Sequence, residues 1–113
     1  MTASLELASG EAVALDEHGH LAARSDWSRQ IAREMASRDG IELDAVRWKV
    51  IALLTAHYDA YGVEMPMRLL VRRLGESGFG DHASSRALYR LFPEGPVRQG
   101  SRYAGLPIPV SCI

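Results

Sequence analysis

Residues 44–62 read DAVRWKVIALLTAHYDAYG, and this stretch decides the architecture. Val46, Val50, Ile51, Leu54, Tyr58 and Tyr61 recur at spacings of three and four, which places them on one face of a helix. Asp44 stands where an N-cap belongs, and Gly62 stands where the chain must turn away. The period predicts a central helix between these two residues.

Shorter helices are predicted on either side. Trp27, Ile31 and Met35 recur every four residues and predict a helix from Ser25 to Gly40, capped by Ser25 or Asp26. Pro66 suits the first turn of a third helix, with Met67, Leu70, Val71 and Leu74 inward, Arg68 and Arg72 on another face, and Gly75 as its stop. Residues 75–84, GESGFGDHAS, read as a loop. A fourth helix points Ala87, Leu88, Leu91 and Phe92 inward and Arg86 and Arg90 outward, and Pro93 ends it. Pro96 opens a short fifth helix that runs to about Tyr103.

The two ends lack this period. Residues 1–23 alternate loosely around Gly10 and the cluster Asp16-Glu17-His18-Gly19, with Leu5, Leu7, Val13, Leu15 and Leu21 as apolar members. That pattern predicts a small β-hairpin or three-strand meander. GLPIPVSCI, residues 105–113, holds two prolines and a glycine, and predicts an extended arm of low intrinsic order. The expectation is one α+β, mainly helical domain over residues 1–113. It comprises an antiparallel β meander (1–23), a four- to five-helix bundle (25–103) and a mobile C-terminal arm (104–113).

Composition narrows the function. With 113 residues, 47% of them hydrophobic and 24% charged, the chain can bury only about two-thirds of its unfolded surface, so a large enclosed active site is not expected. No apolar run reaches the roughly 20 residues of a membrane span, and the acidic N-terminal stretch is unlike a secretory signal, which predicts a cytoplasmic protein without a membrane partner. Residues 1–61 carry 6 basic and 10 acidic groups, net −4, whereas residues 62–113 carry 7 basic and 4 acidic groups, net +3. The asymmetry suits either an anionic partner for the C-terminal half or solvated arginine-rich helix faces.

The one cysteine, Cys112, excludes an intramolecular disulfide, and the four scattered histidines offer no metal cage, so no metal or cofactor is expected. His18 and His20, two apart, would share a strand face but lack a third ligand. His57 reads as a partly packed helix residue, Trp27 and Trp48 as packing residues, and either Tyr89 or Tyr103 as a support for the arm. A thiol near the tip of an arm suits handover between proteins, because its nucleophilicity depends on thiolate fraction and access. The terminal carboxylate of Ile113 opposes ionisation, which makes Arg98 and Arg102 the candidate electrostatic supports.

Ser85-Arg86-Ala87-Leu88-Tyr89-Arg90-Leu91-Phe92-Pro93-Glu94-Gly95-Pro96, then Gln99, Ala104-Gly105-Leu106-Pro107 and Cys112-Ile113, resembles the DsrC/TusE family of sulfur carriers. Gly19-His20-Leu21, Asp26-Trp27, Gly40-Ile41-Glu42-Leu43 with Trp48, and Met67–Arg72 are similar to further family segments. The resemblance implies that Cys112 is the catalytic residue of a sulfurtransferase and carries sulfur as a persulfide. It implies a donor complex of TusBCD or DsrEFH type, and as acceptor a tRNA thiolase or a sulfite-reductase-type enzyme. Any association with tRNA would be indirect, through the acceptor. Members serving sulfite reductase carry a second arm cysteine where this chain has Ser101. A hydroxyl cannot bridge sulfur, so the resemblance points to the single-cysteine, TusE-like branch and to tRNA wobble-uridine 2-thiolation. The loop Gly80-Asp81-His82-Ala83-Ser84 and the pair Gly100-Ser101 depart from the family pattern.

Other readings remain. One is sulfur trafficking in dissimilatory or oxidative metabolism. Another is a helix-turn-helix-like nucleic-acid-binding module using Arg68, Arg72, Arg73, Arg86 and Arg90, although the intervening loop is long and the pI near 6.4 is not basic. A third is a scaffold subunit whose thiol only anchors the arm.

Overall fold

The computed structural model describes residues 3–112; the side chain of Cys112 and all of Ile113 lie outside the described residues. Strands β1 (Ala3–Glu6) and β2 (Ala12–Leu15) form an antiparallel hairpin in which Ala3 pairs with Leu15 and Glu6 with Ala12. The sequence left hairpin and meander open, and the structure resolves them. The third segment contributes only an isolated bridge between Leu15 and Leu21, with Ala22 N–H donating to the Ala14 carbonyl at 3.0 Å.

Five helices follow: α1 (Arg29–Arg38), α2 (Ala45–Tyr61), α3 (Met67–Glu76), α4 (Ser85–Leu91) and α5 (Pro96–Tyr103). Helix α1 starts later than predicted. Ser28 caps it, its hydroxyl accepting from Ile31 N–H at 3.2 Å, while Arg24–Asp26 form a separate 3-10 turn. Trp27 therefore lies outside any helix, a placement that its four-residue spacing from Ile31 disguised. Helix α2 matches its expected bounds: the Asp44 carboxylate accepts from Arg47 N–H at 3.1 Å, and Gly62 leaves in the left-handed conformation at φ 70°. Tyr61, on the apolar face by its spacing, is instead exposed at the end of α2, while Tyr58 one turn earlier packs against the core. Helix α3 runs one residue past Gly75, and the loop after it contains a 3-10 turn, Gly80–His82.

The core lies between α2 and the other helices. Ile31, Met35, Val50, Ile51, Leu54, Leu70, Leu74, Leu88 and Phe92 are buried, each contributing roughly 1.5–3 kcal/mol through removal from water. The Arg47 guanidinium ties α2 to the end of α4 by donating to the Leu91 carbonyl at 3.0 Å. Helices α3 and α4 both pack on the 3-10 turn between them. No helix among the described residues is long and apolar enough to cross a membrane.

Helix α5 approaches α2 at Gly100. A Cβ there would lie 2.6 Å from Leu54 Cδ1 and 3.6 Å from Val50 Cγ1, so this glycine, part of the pair that departs from the family pattern, is what admits the contact. Gly100→Ala should lower stability by about 1–3 kcal/mol, as overpacking does. The check is a urea midpoint that falls with an unchanged slope; an unmoved midpoint would show that Leu54 yields freely.

Candidate functional site

The arm begins where α5 ends, and the body holds its base. The Trp27 indole N–H donates to the Tyr103 carbonyl at 2.7 Å, satisfying an orphan carbonyl at the helix C-terminus. Gly105 then turns the chain at φ 73°, and a Cβ at this position would come within 2.6–2.9 Å of three Trp27 side-chain atoms. The Leu106 amide donates to the Ser101 carbonyl at 3.0 Å, and Leu106, Ile108 and Pro109 are buried. The first part of the arm is thus extended as expected but docked, its apolar side chains supplying the order that its composition lacks.

His20 completes the attachment. The Asp16 carboxylate accepts from the backbone N–H groups of His18 and His20 at 2.8 and 3.0 Å, closing a turn through Gly19 that sends the His20 ring inward. Its Nδ1 lies 2.8 Å from the Leu106 carbonyl oxygen. A carbonyl only accepts, so Nδ1 carries the proton. The two histidines do not share a face: His20 is only 1% exposed, whereas His18 is partly exposed and sits 3.4 Å from Glu17. Burial lowers the His20 pKa below 6.5, reinforced by Arg102 and Arg98 and opposed by the Leu106 hydrogen bond and Asp16.

A polar network seats α5 beneath this point. Gln99 Nε2 donates to the Tyr103 hydroxyl at 2.8 Å, and that hydroxyl donates to Asp39 at the end of α1 at 2.5 Å. Burial, with Asp39 adding to it, pushes the Tyr103 hydroxyl up to about 12. Arg102 pairs with Asp39 and, at 3.4 Å, with Glu94. Burial works against its charge, yet Asp39 and Glu94 raise its pKa above the ordinary arginine value.

The backbone of Cys112 ends a 3-10 turn that begins at Val110, at the far end of the arm from the His20 contact. Of the two candidate arginines, Arg102 is committed to carboxylates, while Arg98 is exposed and lines a surface pocket with Glu64 and Ser111, the neighbour of Cys112. Ser101 is buried and, with Leu54, Tyr58, Met65 and Leu106, lines a cavity of about 430 Å³ under the arm. Tyr103 supports the arm and Tyr89 is exposed. Trp48 packs under the Arg29 guanidinium at 4.0 Å, and the His57 ring meets that of Tyr61 at a tilt of 47° with centroids 4.7 Å apart. Sequence reasoning missed His20 as an arm contact; its partner lies 86 residues away, and only the family-like Gly19-His20-Leu21 segment marked it.

A small helical domain that fastens the base of an arm, and carries its single cysteine beyond the fastening, has the build of a thiol carrier. The chain matches the family described as "DsrC like protein" over residues 7–113, and it belongs to that family. It is 39% identical over 105 residues to Sulfurtransferase TusE of Sodalis glossinidius, covering 93% of this chain and 97% of the relative. Its fold is similar to the NMR structure of Allochromatium vinosum DsrC, with a TM-score of 0.83 and 35% identity over the whole of both chains. It is also similar to the crystal structure of the oxidized gamma-subunit of the dissimilatory sulfite reductase (DsrC) from Archaeoglobus fulgidus. That match has a TM-score of 0.86 and 34% identity, over 98% of this chain and 100% of that one.

The His20 shift has a defined consequence for stability. Its folded pKa lies below the 6.5 of an ordinary histidine, so as pH falls the unfolded chain takes up the proton first. The stability due to neutral His20 is complete above 6.5 and is lost as pH drops through the folded value. Urea unfolding should show this loss, and His20→Asn, which keeps a donor but does not titrate, should flatten it. Equal slopes in the two proteins would assign the pH dependence elsewhere.

Proposed function

We propose that the protein is a sulfur-relay sulfurtransferase that holds sulfane sulfur as a persulfide on Cys112 and passes it to an acceptor protein in tRNA wobble-uridine 2-thiolation. The observation that carries this reading is the single thiol on the arm, in a chain that belongs to the DsrC-like family and has 39% identity to a TusE sulfurtransferase. The Cys112 thiolate attacks the outer sulfur of a donor persulfide. One sulfur–sulfur bond forms as the donor's breaks, and the donor's inner sulfur leaves as a thiolate, so no external oxidant or reductant enters. Delivery repeats the exchange: an acceptor thiolate takes the outer sulfur and Cys112 is released as a thiolate. The cytoplasm, where thiols stay reduced, is the compartment this chemistry requires.

The donor is a complex of TusBCD or DsrEFH type, and the acceptor a tRNA thiolase that itself contacts the tRNA. Likeness to a sulfite reductase gamma-subunit favours a second reading, sulfur trafficking with a sulfite-reductase-type acceptor. Ser101 weighs against a two-thiol cycle within this chain, because a buried hydroxyl cannot form a disulfide or trisulfide with Cys112.

Intact-protein mass spectrometry after incubation with a persulfide donor tests the carrier chemistry. The expected result is a gain of one sulfur that reductant removes and that Cys112→Ser abolishes; no adduct on an alkylatable thiol would overturn the reading. The two arginines should separate in the same protein. Arg98→Ala should lower the alkylation rate of Cys112 near neutral pH by roughly two- to threefold through a smaller thiolate fraction. Arg102→Ala should leave that rate unchanged while lowering stability, because its charge already serves Asp39 and Glu94. Equal effects on alkylation would refute this division.

A further inference from the structure

We propose that His20 and Trp27 form a clamp that sets the working length of the arm, making His20 a positioning residue for sulfur transfer at Cys112. This inference rests on the carrier reading above. Three contacts from the N-terminal segment converge on three consecutive stations of the arm base. The Trp27 N–H meets the Tyr103 carbonyl at 2.7 Å, the Trp27 ring fills the space over Gly105, and His20 meets the Leu106 carbonyl at 2.8 Å. Among the described residues, Leu106 is the last whose backbone is hydrogen-bonded to another element; Pro107 and Pro109 have no N–H to offer.

The clamp therefore divides the arm. Beyond Leu106 only side-chain burial at Ile108 and Pro109 seats the arm; once that packing is released, the six residues from Pro107 to Cys112 span at most about 20–22 Å. If the clamp opens, the tether starts at Gly105, and eight residues span at most about 26–29 Å. The longer tether carries the thiol through a larger volume and must be reordered each time a partner is met. That ordering opposes partner docking and leaves the exchange step itself untouched. The Leu106 carbonyl makes the device specific: without the imidazole donor it is a buried acceptor with no partner from the hairpin.

The test compares wild type with His20→Leu, His20→Asn and Trp27→Phe. Hydrogen exchange is read at the Leu106 amide, with Val50–Leu54 amides as the standard for global stability. A nitroxide on Cys112, the one thiol of the chain, reports arm reach by the broadening it causes in amides of the body. Persulfide uptake is measured from glutathione persulfide and from a persulfidated donor complex of TusBCD type.

His20→Leu and Trp27→Phe should speed Leu106 exchange at least tenfold relative to the α2 standard and spread the broadening over more of the surface. They should raise KM for the protein donor roughly five- to fiftyfold with kcat within twofold, and leave uptake from glutathione persulfide unchanged. His20→Asn, which retains a donor near the Nδ1 position, should restore KM to within about threefold of wild type. Unchanged KM in His20→Leu, or a fall in kcat that tracks accelerated exchange of the α2 amides, would overturn the clamp. Wild type that takes sulfur from neither donor would instead overturn the carrier reading, and the exchange and nitroxide data would still decide whether the clamp exists.

Discussion

The C-terminal third of this protein depends on how closely α5 can approach α2. At Gly100 no side chain separates them, and Leu54 Cδ1 lies 2.6 Å from where a Cβ would be. That contact brings Tyr103 into the core, where its ring lies 6.2 Å from that of Phe92. Only with Tyr103 buried does its hydroxyl reach Asp39, and only then does its carbonyl meet Trp27. The arm base, the cavity beside Ser101 and the seat of Leu106 all follow from the placement of that one short helix. An eight-residue helix is too short to be stable on its own sequence, so packing must supply its stability.

The buried polar groups around α5 are acceptable because they satisfy one another. Gln99 serves two partners at once: its Oε1 accepts from Glu94 N–H at 2.8 Å and its Nε2 donates to Tyr103. Asp39 receives both Tyr103 and Arg102. Removing one member would leave a partly buried charge or donor uncompensated, which costs more than the bond itself contributes. The same network explains why net charge is a poor map of available charge. The excess of +3 over residues 62–113 includes Arg102, held by Asp39 and Glu94, and Arg73, paired with Glu76 at 3.1 Å. The cations left exposed, Arg68, Arg72, Arg86, Arg90 and Arg98, are those that a partner would meet.

Local chemistry made much of this fold legible. Helix α2 could be bounded to the residue because a long apolar period, an aspartate cap and a left-handed glycine all agree. Helix α1 could not, because Trp27 imitates the period of Ile31 and Met35 while its indole is used by Tyr103 and Gly105. The arm read as disordered for a similar reason: prolines forbid regular structure but do not forbid docking, and the burial of Leu106 and Ile108 depends on residues far away in sequence. Cys112 stands out in the sequence by its singularity and by the motif that precedes it. His20 was not, because a lone histidine in a hairpin gives no sign of a carbonyl 86 residues away.

A protein that moves sulfur between partners meets two opposed demands. Its thiol must enter another protein's site, which favours a long free tether, and it must arrive there often, which favours a short one. An arm fastened part of the way along satisfies both: its base is held by hydrogen bonds through Leu106, and the span beyond, seated only by side-chain burial at Ile108 and Pro109, is what is released for transfer. The two prolines fit this division, since Pro107 and Pro109 reduce the freedom of the span beyond Leu106 without needing any donor from the body. The thiol can then be carried on a short segment whose reach is fixed by contacts at its origin, made by residues at the opposite end of the chain.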